Sequence, residues 1–301
     1  MINLDKFITV CYTNAMETII KNNNIILKGV SDFDLRHIFE CGQCFRFNAV
    51  TDGVYEGVAF SRALRISQSG DTVTLYDTSK EDFDTVWHDY FDMGCDYGKI
   101  KKTLSRDKIL KNAIKNGEGI RILNQDLWET IISFIISASN NIPRIKGIIG
   151  RFCENFGDEI SYMGKTYYAF PTPEKTASLT QSDLSVIRAG FRDKYIMDAA
   201  EKIVSGKMKI DYIKQLPTEK AKEELKKING IGEKVANCIL LFGLHRVDAF
   251  PVDVWIKRVM EQYYFDGEQP ISVISRFAEE KFGDLGGYAQ QYLFFSAREN
   301  K

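Results

Sequence analysis

The first eighty residues are built from short apolar runs. NIILKGV (24–30), CFRFNAV (44–50), GVYEGVAF (53–60), ALRISQ (63–68) and TVTLYDT (72–78) are rich in β-branched and aromatic side chains. Turn formers such as Thr51-Asp52-Gly53 and Ser69-Gly70-Asp71 separate them. Runs of this kind predict an antiparallel sheet. From about residue 81 the spacing becomes helical, first in EDFDTVWHDYF and then in the basic stretch 98–121. DLWETIISFIISAS (126–139) is apolar nearly all round, as a buried helix is, and Asp126 with Glu129 resembles a capping box. A second helix is predicted over NIPRIKGIIGRFCENFG. Thr172 before Pro173 marks another start, and Ser182 another. Further helices are expected over 193–206, 218–228, 234–243, 253–264, 271–282 and 288–298. The predicted class is α+β: an N-terminal antiparallel sheet domain (1–115), then a mostly helical domain (116–301) with a helix–hairpin–helix at about 218–243.

Composition narrows the chemistry. The chain has 301 residues, 44% hydrophobic, enough for a sizeable core. No apolar run approaches the roughly 18 residues that span a bilayer, so no membrane partner is expected. MINLDKFITV carries neither the basic nor the apolar region of a signal peptide, and a cytoplasmic location is expected. The net charge of −1 argues against a strong nonspecific nucleic-acid binder, although 98–121 is locally basic. That stretch alone reads as a solvated helical face. Cys41 and Cys44 form a C-x-x-C, but Cys11, Cys95, Cys153 and Cys238 are scattered, as are His37, His88 and His245. No second ligand pair for structural zinc is present, and ECGQCFRF reads as a loop entering a strand rather than a redox helix start.

The stretch KKINGIGEKVANCILLF (226–242) raises a chemical question. Asn229-Gly230-Ile231-Gly232 makes a tight turn between two helices, and its amides can face an anion. Lys234 then stands at the second helix's opening, an unfavourable place for a cation. A nucleotide-binding phosphate loop is disfavoured, because its glycines stand further apart and follow a strand. Downstream, Pro251-Val252-Asp253 precedes an amphipathic helix, with Asp253 at the N-cap position. Taken alone, Lys234 reads equally well as a surface lysine and Asp253 as a cap.

INGIGEKVANC followed by PVDVW resembles the helix–hairpin–helix DNA glycosylases with the Gly/Pro…Asp loop. ECGQCFRF (40–47), SFIISASNNIPRIKG (133–147) and GYAQQYLFFSA (287–297) resemble the 8-oxoguanine DNA glycosylases at matching places along nearly the whole chain. That resemblance implies a base-excision repair enzyme, both DNA N-glycosylase (hydrolase, glycosidase) and abasic-site lyase. The partner it implies is double-stranded DNA containing oxidised guanine. A monomer is expected, cytoplasmic and nucleoid-associated if bacterial.

The implied mechanism flips the damaged nucleotide into a pocket, where Lys234 attacks C1′ and forms a Schiff base. Asp253 stabilises the cationic sugar. The reaction needs the free amine, which gives the helix-start position a use. The resemblance maps the lesion-reading carbonyl onto Gly42. The lesion differs from guanine in carrying hydrogen on N7, so an acceptor there rejects guanine. It maps Cys238 and Phe295 onto the residues that sandwich the base, Gln291 onto the reader of its Watson–Crick edge, and Phe242 onto a position near the pocket. Without the resemblance, Gly42 reads as a turn glycine and Phe295 as core.

Asn140, Asn141, Arg144 and Arg192 fall in segments resembling the duplex-contacting loops, with the arginines on the orphaned cytosine. The hairpin Asn229, Gly230, Ile231 and Gly232 would hold a phosphate, and a structural cation bridged by its carbonyls is left open. No cofactor is required. The four C-terminal cysteines of the iron–sulfur branches have no counterpart here, so no iron–sulfur cluster is expected. This chain departs from the family pattern at Ser139, Phe191, Phe242 and Trp255, where asparagine, tyrosine, methionine and histidine are usual. A weaker preference for cytosine opposite the lesion is therefore expected. The alternatives are a non-catalytic helix–hairpin–helix DNA-binding protein and a glycosylase for another damaged purine.

Overall fold

A computed structural model describes residues 9–13 and 16–299. The N-terminal strands β1 (Thr9–Thr13), β2 (Met16–Lys21), β3 (Asn24–Lys28), β4 (Asn48–Thr51), β5 (Val54–Ala59), β6 (Arg62–Ser69) and β7 (Thr72–Tyr76) form one antiparallel sheet. Its order is β1-β2-β3-β7-β6-β5-β4. Alternation decides which face is buried. Ile25 and Leu27 on β3, Leu64 and Ile66 on β6, and Val73 and Leu75 on β7 all point into one cluster with Phe39, Trp87 and Phe91. The β1–β2 hairpin lies outside the strands expected from the sequence pattern. Residues 44–47, expected as strand, belong instead to an irregular loop that enters β4 at Asn48.

That loop follows a short helix, Leu35–Glu40, capped by Asp34, whose carboxylate accepts from the His37 amide at 2.9 Å. The helix inserts between β3 and β4 and buries Leu35, Ile38 and Phe39 against the sheet. Its C-terminal end delivers Cys41-Gly42-Gln43-Cys44 to the boundary with the helical part. Cys41 and Phe45 already belong to the second, larger apolar cluster, while Phe39, Cys44 and Phe47 belong to the first. Tyr97, Leu104 and Leu110, from helices before residue 116, also pack into that second cluster. A division at residue 115 therefore cuts through a packed core.

The larger cluster is centred on helix Leu127–Ser137, which is buried on almost every side. Asp126 caps it, accepting from the Glu129 amide at 2.9 Å. No reciprocal half of the capping box forms, because the Glu129 carboxylate pairs instead with Arg46 at 3.4 Å. Arg46 also donates to the Tyr168 carbonyl, so this pair ties the loop after Cys44 to the helical part. Burial pushes the Glu129 carboxyl up to about 7 against the pull of Arg46. A carboxyl raised on folding stabilises fully below its unfolded value near 4.3, and that contribution is lost as pH rises through about 7. The thermal midpoint is expected to fall between pH 4.5 and 7, an effect on the order of 2–3 kcal/mol. Glu129→Gln should flatten that slope in a pH series of melts, and an unchanged slope would refute the assignment.

Two further departures are local. A hairpin of β8 (Glu159–Tyr162) and β9 (Lys165–Tyr168) was not anticipated. Its strands are short, and side chains on the sheet hold it down. Lys165 and Tyr167 donate to Glu56, and the Tyr162 hydroxyl accepts from the Arg65 amide at 3.0 Å. Burial works to raise the Glu56 carboxyl, but Tyr167, Lys165 and Arg65 outweigh it and hold it at about 2. The helix expected to start at Ser182 starts at Gln181, because Thr180 caps it in a complete capping box with Asp183.

Candidate active site

The helix–hairpin–helix consists of Thr218–Leu225, a turn through 226–232, and Glu233–Gly243. Leu225, Ile228, Ile231, Val235, Ala236 and Ile239 are buried and lock the two helices together. Gly230 has φ 87°, and an added Cβ would stand 2.5 Å from the Tyr195 ring, so the turn needs glycine twice over. Asp198 anchors the turn, accepting from the Asn229 amide at 2.8 Å and its side-chain nitrogen at 3.0 Å, while Lys202 braces the same carboxylate. The Asn229 amide is thereby used up, which removes it from the anion-facing set read from the sequence. Ile231 donates to the Ile228 carbonyl. Among the described residues the Gly230 and Gly232 amides have no protein acceptor, and these two, with the first amides of the following helix, are left to face an anion.

Gly232 is the N-cap of helix Glu233–Gly243, so no side chain caps that end. Glu233 is drawn away by Lys222 and Lys226, each at 3.1 Å. Lys234 extends instead over the Phe134 ring, 5.7 Å from its centroid. Asp253 caps helix Val254–Tyr263, accepting from the amides of Trp255 at 3.0 Å and Ile256 at 2.9 Å. The two helix starts converge. Lys234 and Asp253 both line a cavity of about 340 Å³ with Gly42, Phe45, Phe134 and Phe294. Both also line an adjoining recess of about 50 Å³ with Cys41, Cys238, Phe242, Gln290 and Gln291. The recess has room for one or two waters and not for a purine. Burial pushes the Cys238 thiol up, while the neighbouring Lys234 pulls the other way. Phe242 stacks on Phe134, centroids 5.4 Å apart.

Gly42 lines both spaces at φ 80°, and a Cβ there would press on the Phe294 ring at 3.2 Å. Of the two neighbours Phe294 and Phe295, it is Phe294 that borders them. Phe295 points away, packing edge-on to His37 and beside Gly117. A similar shift affects the glutamines. Gln291 is buried and donates to the Cys41 carbonyl at 3.0 Å. Its neighbour Gln290 lines the same recess, is 5% exposed, and holds a side-chain oxygen with no hydrogen-bond partner among the described residues. A buried acceptor left unpaired is costly, and it is the group in the recess with unused capacity for a ligand.

A profile described as 8-oxoguanine DNA glycosylase, N-terminal domain, matches residues 25–131, and one described as HhH-GPD superfamily base excision DNA repair protein matches residues 132–282. The chain belongs to the 8-oxoguanine DNA glycosylases of the HhH-GPD superfamily. Among solved structures it is similar to MBOgg1 in complex with a low-affinity DNA ligand, at 47% identity and TM-score 0.93, covering 95% of this chain and 99% of that one. It is also similar to the Clostridium acetobutylicum 8-oxoguanine glycosylase/lyase in complex with double-stranded DNA containing cytosine opposite 8-oxoguanine. There the identity is 46% and the TM-score 0.91, covering 95% of this chain and 98% of that one. The Saccharomyces cerevisiae N-glycosylase/DNA lyase is 40% identical over 159 residues, 49% of this chain, and the match spans 42% of that protein's length.

In this glycosylase some of the residues expected to meet the duplex border the larger cavity and others do not. Asn140, Asn141 and Trp255 line it. Asn141 caps helix Ile142–Phe156 by accepting from the Arg144 amide, and the Arg144 side chain is exposed. Arg192 is buried, with its guanidinium donating to the carbonyls of Ala138, Ser139 and Ala189. Phe191 is 58% exposed, lying over that guanidinium at 4.3 Å. Arg298, which the sequence reading did not single out, also lines the cavity, 5.5 Å over the Phe294 ring. Among the described residues no three His, Cys, Asp or Glu side chains converge to hold a metal ion, and Cys41, Cys44, Cys95, Cys153 and Cys238 are free thiols. The side chain of Cys11 lies outside the described residues.

Proposed function

We propose that this protein excises 8-oxoguanine from duplex DNA, with Lys234 as nucleophile and Asp253 as the carboxylate that stabilises the sugar cation. As a family member it is a base-excision DNA glycosylase. The glycosylase/lyase names of its relatives support the accompanying strand-cleavage step. The observation that carries the proposal is the convergence of Lys234 and Asp253, 19 positions apart at two separate helix starts, on one cavity edged by Gly42.

In the proposed sequence the free amine attacks C1′ of the extruded nucleotide. The glycosidic bond breaks with its electrons leaving on the base, which takes up a proton. The sugar ring opens to a Schiff base with Lys234, loss of the C2′ proton expels the 3′ phosphate, and water releases the enzyme. Asp253, whose Oδ1 is fixed by two backbone amides, opposes the positive charge that builds on the sugar. The amine and carboxylate supply the chemistry, so the proposal requires no cofactor. Gly42 offers the acceptor for the lesion's N7 hydrogen. Cys238 and Phe294 would flank the base, and Gln290, with its unused oxygen, would read the Watson–Crick edge. The recess must widen to admit a purine, and the Phe294 ring, standing at both spaces, is the side chain whose movement would do so. We take the protein to act as a cytoplasmic monomer.

The test uses duplexes carrying 8-oxoguanine, guanine or an abasic site, with and without borohydride. Base release and a trapped adduct are expected with 8-oxoguanine, a trapped adduct with the abasic site, and neither with guanine. DNA binding without any adduct would favour a binding module instead. In the same assay, rates with each of the four bases opposite the lesion should differ by less than about tenfold. Arg192 is committed to backbone carbonyls and Phe191 has no hydroxyl, and each lost base contact removes about 1–3 kcal/mol of discrimination. Strict dependence on cytosine would refute this.

A further inference from the structure

We infer that Gln43, Gln125 and Gln291 form a clamp that holds the Gly42 carbonyl in place for lesion reading. The inference rests on the role given to Gly42 above and adds the residues that make this role possible. Three consecutive carbonyls run through the loop. That of Cys41 accepts from the Gln291 side chain at 3.0 Å, and that of Gln43 accepts from the Gln125 side chain at 2.8 Å. The carbonyl between them, on Gly42, accepts no hydrogen bond among the described residues, and Gly42 borders both cavity spaces. The two fixed neighbours leave its peptide little freedom to rotate, although glycine at φ 80° is the residue most free to do so.

Gln43 itself completes the arrangement. It is fully buried, and its side-chain nitrogen donates at 2.8 Å to the carbonyls of both Ile38 and Arg121. Its oxygen accepts from the Leu123 amide at 2.9 Å. Both donors and the acceptor are thus in use, and the side chain bridges the end of helix Leu35–Glu40 to the segment that leads into Leu127–Ser137. Gln125 is anchored in turn, its amide donating to the Phe242 carbonyl at 3.2 Å. The clamp therefore draws on the loop itself, the inter-domain segment and the last helix, Gly286–Glu299. Telling 8-oxoguanine from guanine depends on one acceptor standing at N7, and a misplacement of about 1 Å can cost about a hundredfold.

These are positioning residues, so the test must separate positioning from general folding. Cleavage of a preformed abasic site uses the same Lys234 but has no base to read. Gln43→Ala and the milder Gln125→Leu, which removes only the bond to the Gln43 carbonyl and leaves the Gln43 side-chain bonds and the backbone bond from Gln125 to Phe242 intact, are compared in single-turnover assays on 8-oxoguanine and abasic duplexes. Excision is expected to fall at least about tenfold more than abasic-site cleavage, with guanine discrimination narrowing in step. Equal losses on both substrates, or no loss in Gln125→Leu, overturn the clamp. Gly42→Ala serves as the control for the underlying reading. If it leaves the ratio of the two activities unchanged, lesion reading by Gly42 is itself wrong. If it lowers the ratio while both glutamine variants do not, only the clamp fails.

Discussion

Lys234→Gln is expected to abolish the borohydride-trapped adduct and to lower excision of 8-oxoguanine by roughly four orders of magnitude or more. The side chain lies over the Phe134 ring and borders both cavity spaces together with Asp253, which is where the proposed mechanism needs a nucleophile. Glutamine has nearly the same helix propensity and length, and helix Glu233–Gly243 is held by its buried Val235, Ala236 and Ile239 rather than by Lys234. The melting midpoint should therefore stay within a degree or two, and binding to lesion duplex within about tenfold. Those controls make the result interpretable. A trapped adduct that persists in Lys234→Gln would assign the nucleophile to another amine and remove the basis of the mechanism.

Asp253→Asn should cost about a hundredfold to a thousandfold in single-turnover excision with little loss of stability. The two roles of this residue can be separated because they need different things. Capping needs a side-chain oxygen that accepts from the amides of Trp255 and Ile256, and asparagine caps about as well as aspartate. Stabilising a sugar cation needs negative charge, which asparagine lacks. Asp253→Ala loses both, with an added destabilisation of about 1 kcal/mol. A wild-type rate in Asp253→Asn would mean that the carboxylate only caps.

The positions of both residues were legible in the sequence because turn and cap chemistry is local, while their roles came from the resemblance to the glycosylases. A glycine-bounded turn followed by a lysine, and Pro-Val-Asp before an amphipathic run, need no tertiary contact to be recognised. The pocket walls were less legible. Along AQQYLFF the pairs Gln290/Phe294 and Gln291/Phe295 each have i, i+4 spacing, so either pair could share a helix face. Residues 286 to 293 are buried without a break, and no polar stripe marks which way the helix is turned. Its packing against the rest of the fold sets the rotation, giving Gln290 and Phe294 to the recess and turning Phe295 toward His37.

Similar reasons explain the other departures. Glu129 sits where a capping box would use it, yet it pairs with an arginine 83 positions away, which no local rule anticipates. The Asn229 amide looks free in the turn and is taken by Asp198, 31 positions earlier. The β8–β9 hairpin has strands too short to declare themselves and depends on Glu56, Tyr76 and Arg65 of the sheet for its anchorage.

The sheet-then-helices class, most of its elements and the hairpin were fixed by the chain's own alternation, turn glycines and caps, all of which act over a few residues, whereas the roles of Lys234 and Asp253 came from the resemblance of whole motifs to the glycosylases. Only the folded structure decided that two helix starts share one cavity, which of two adjacent phenylalanines borders it, which of two adjacent glutamines keeps an unpaired oxygen, and that glutamines from distant segments grip the loop around Gly42. Those outcomes depend on how buried helices rotate and where side-chain amides find partners, and such choices are made by long-range packing and hydrogen bonding rather than by neighbours in sequence.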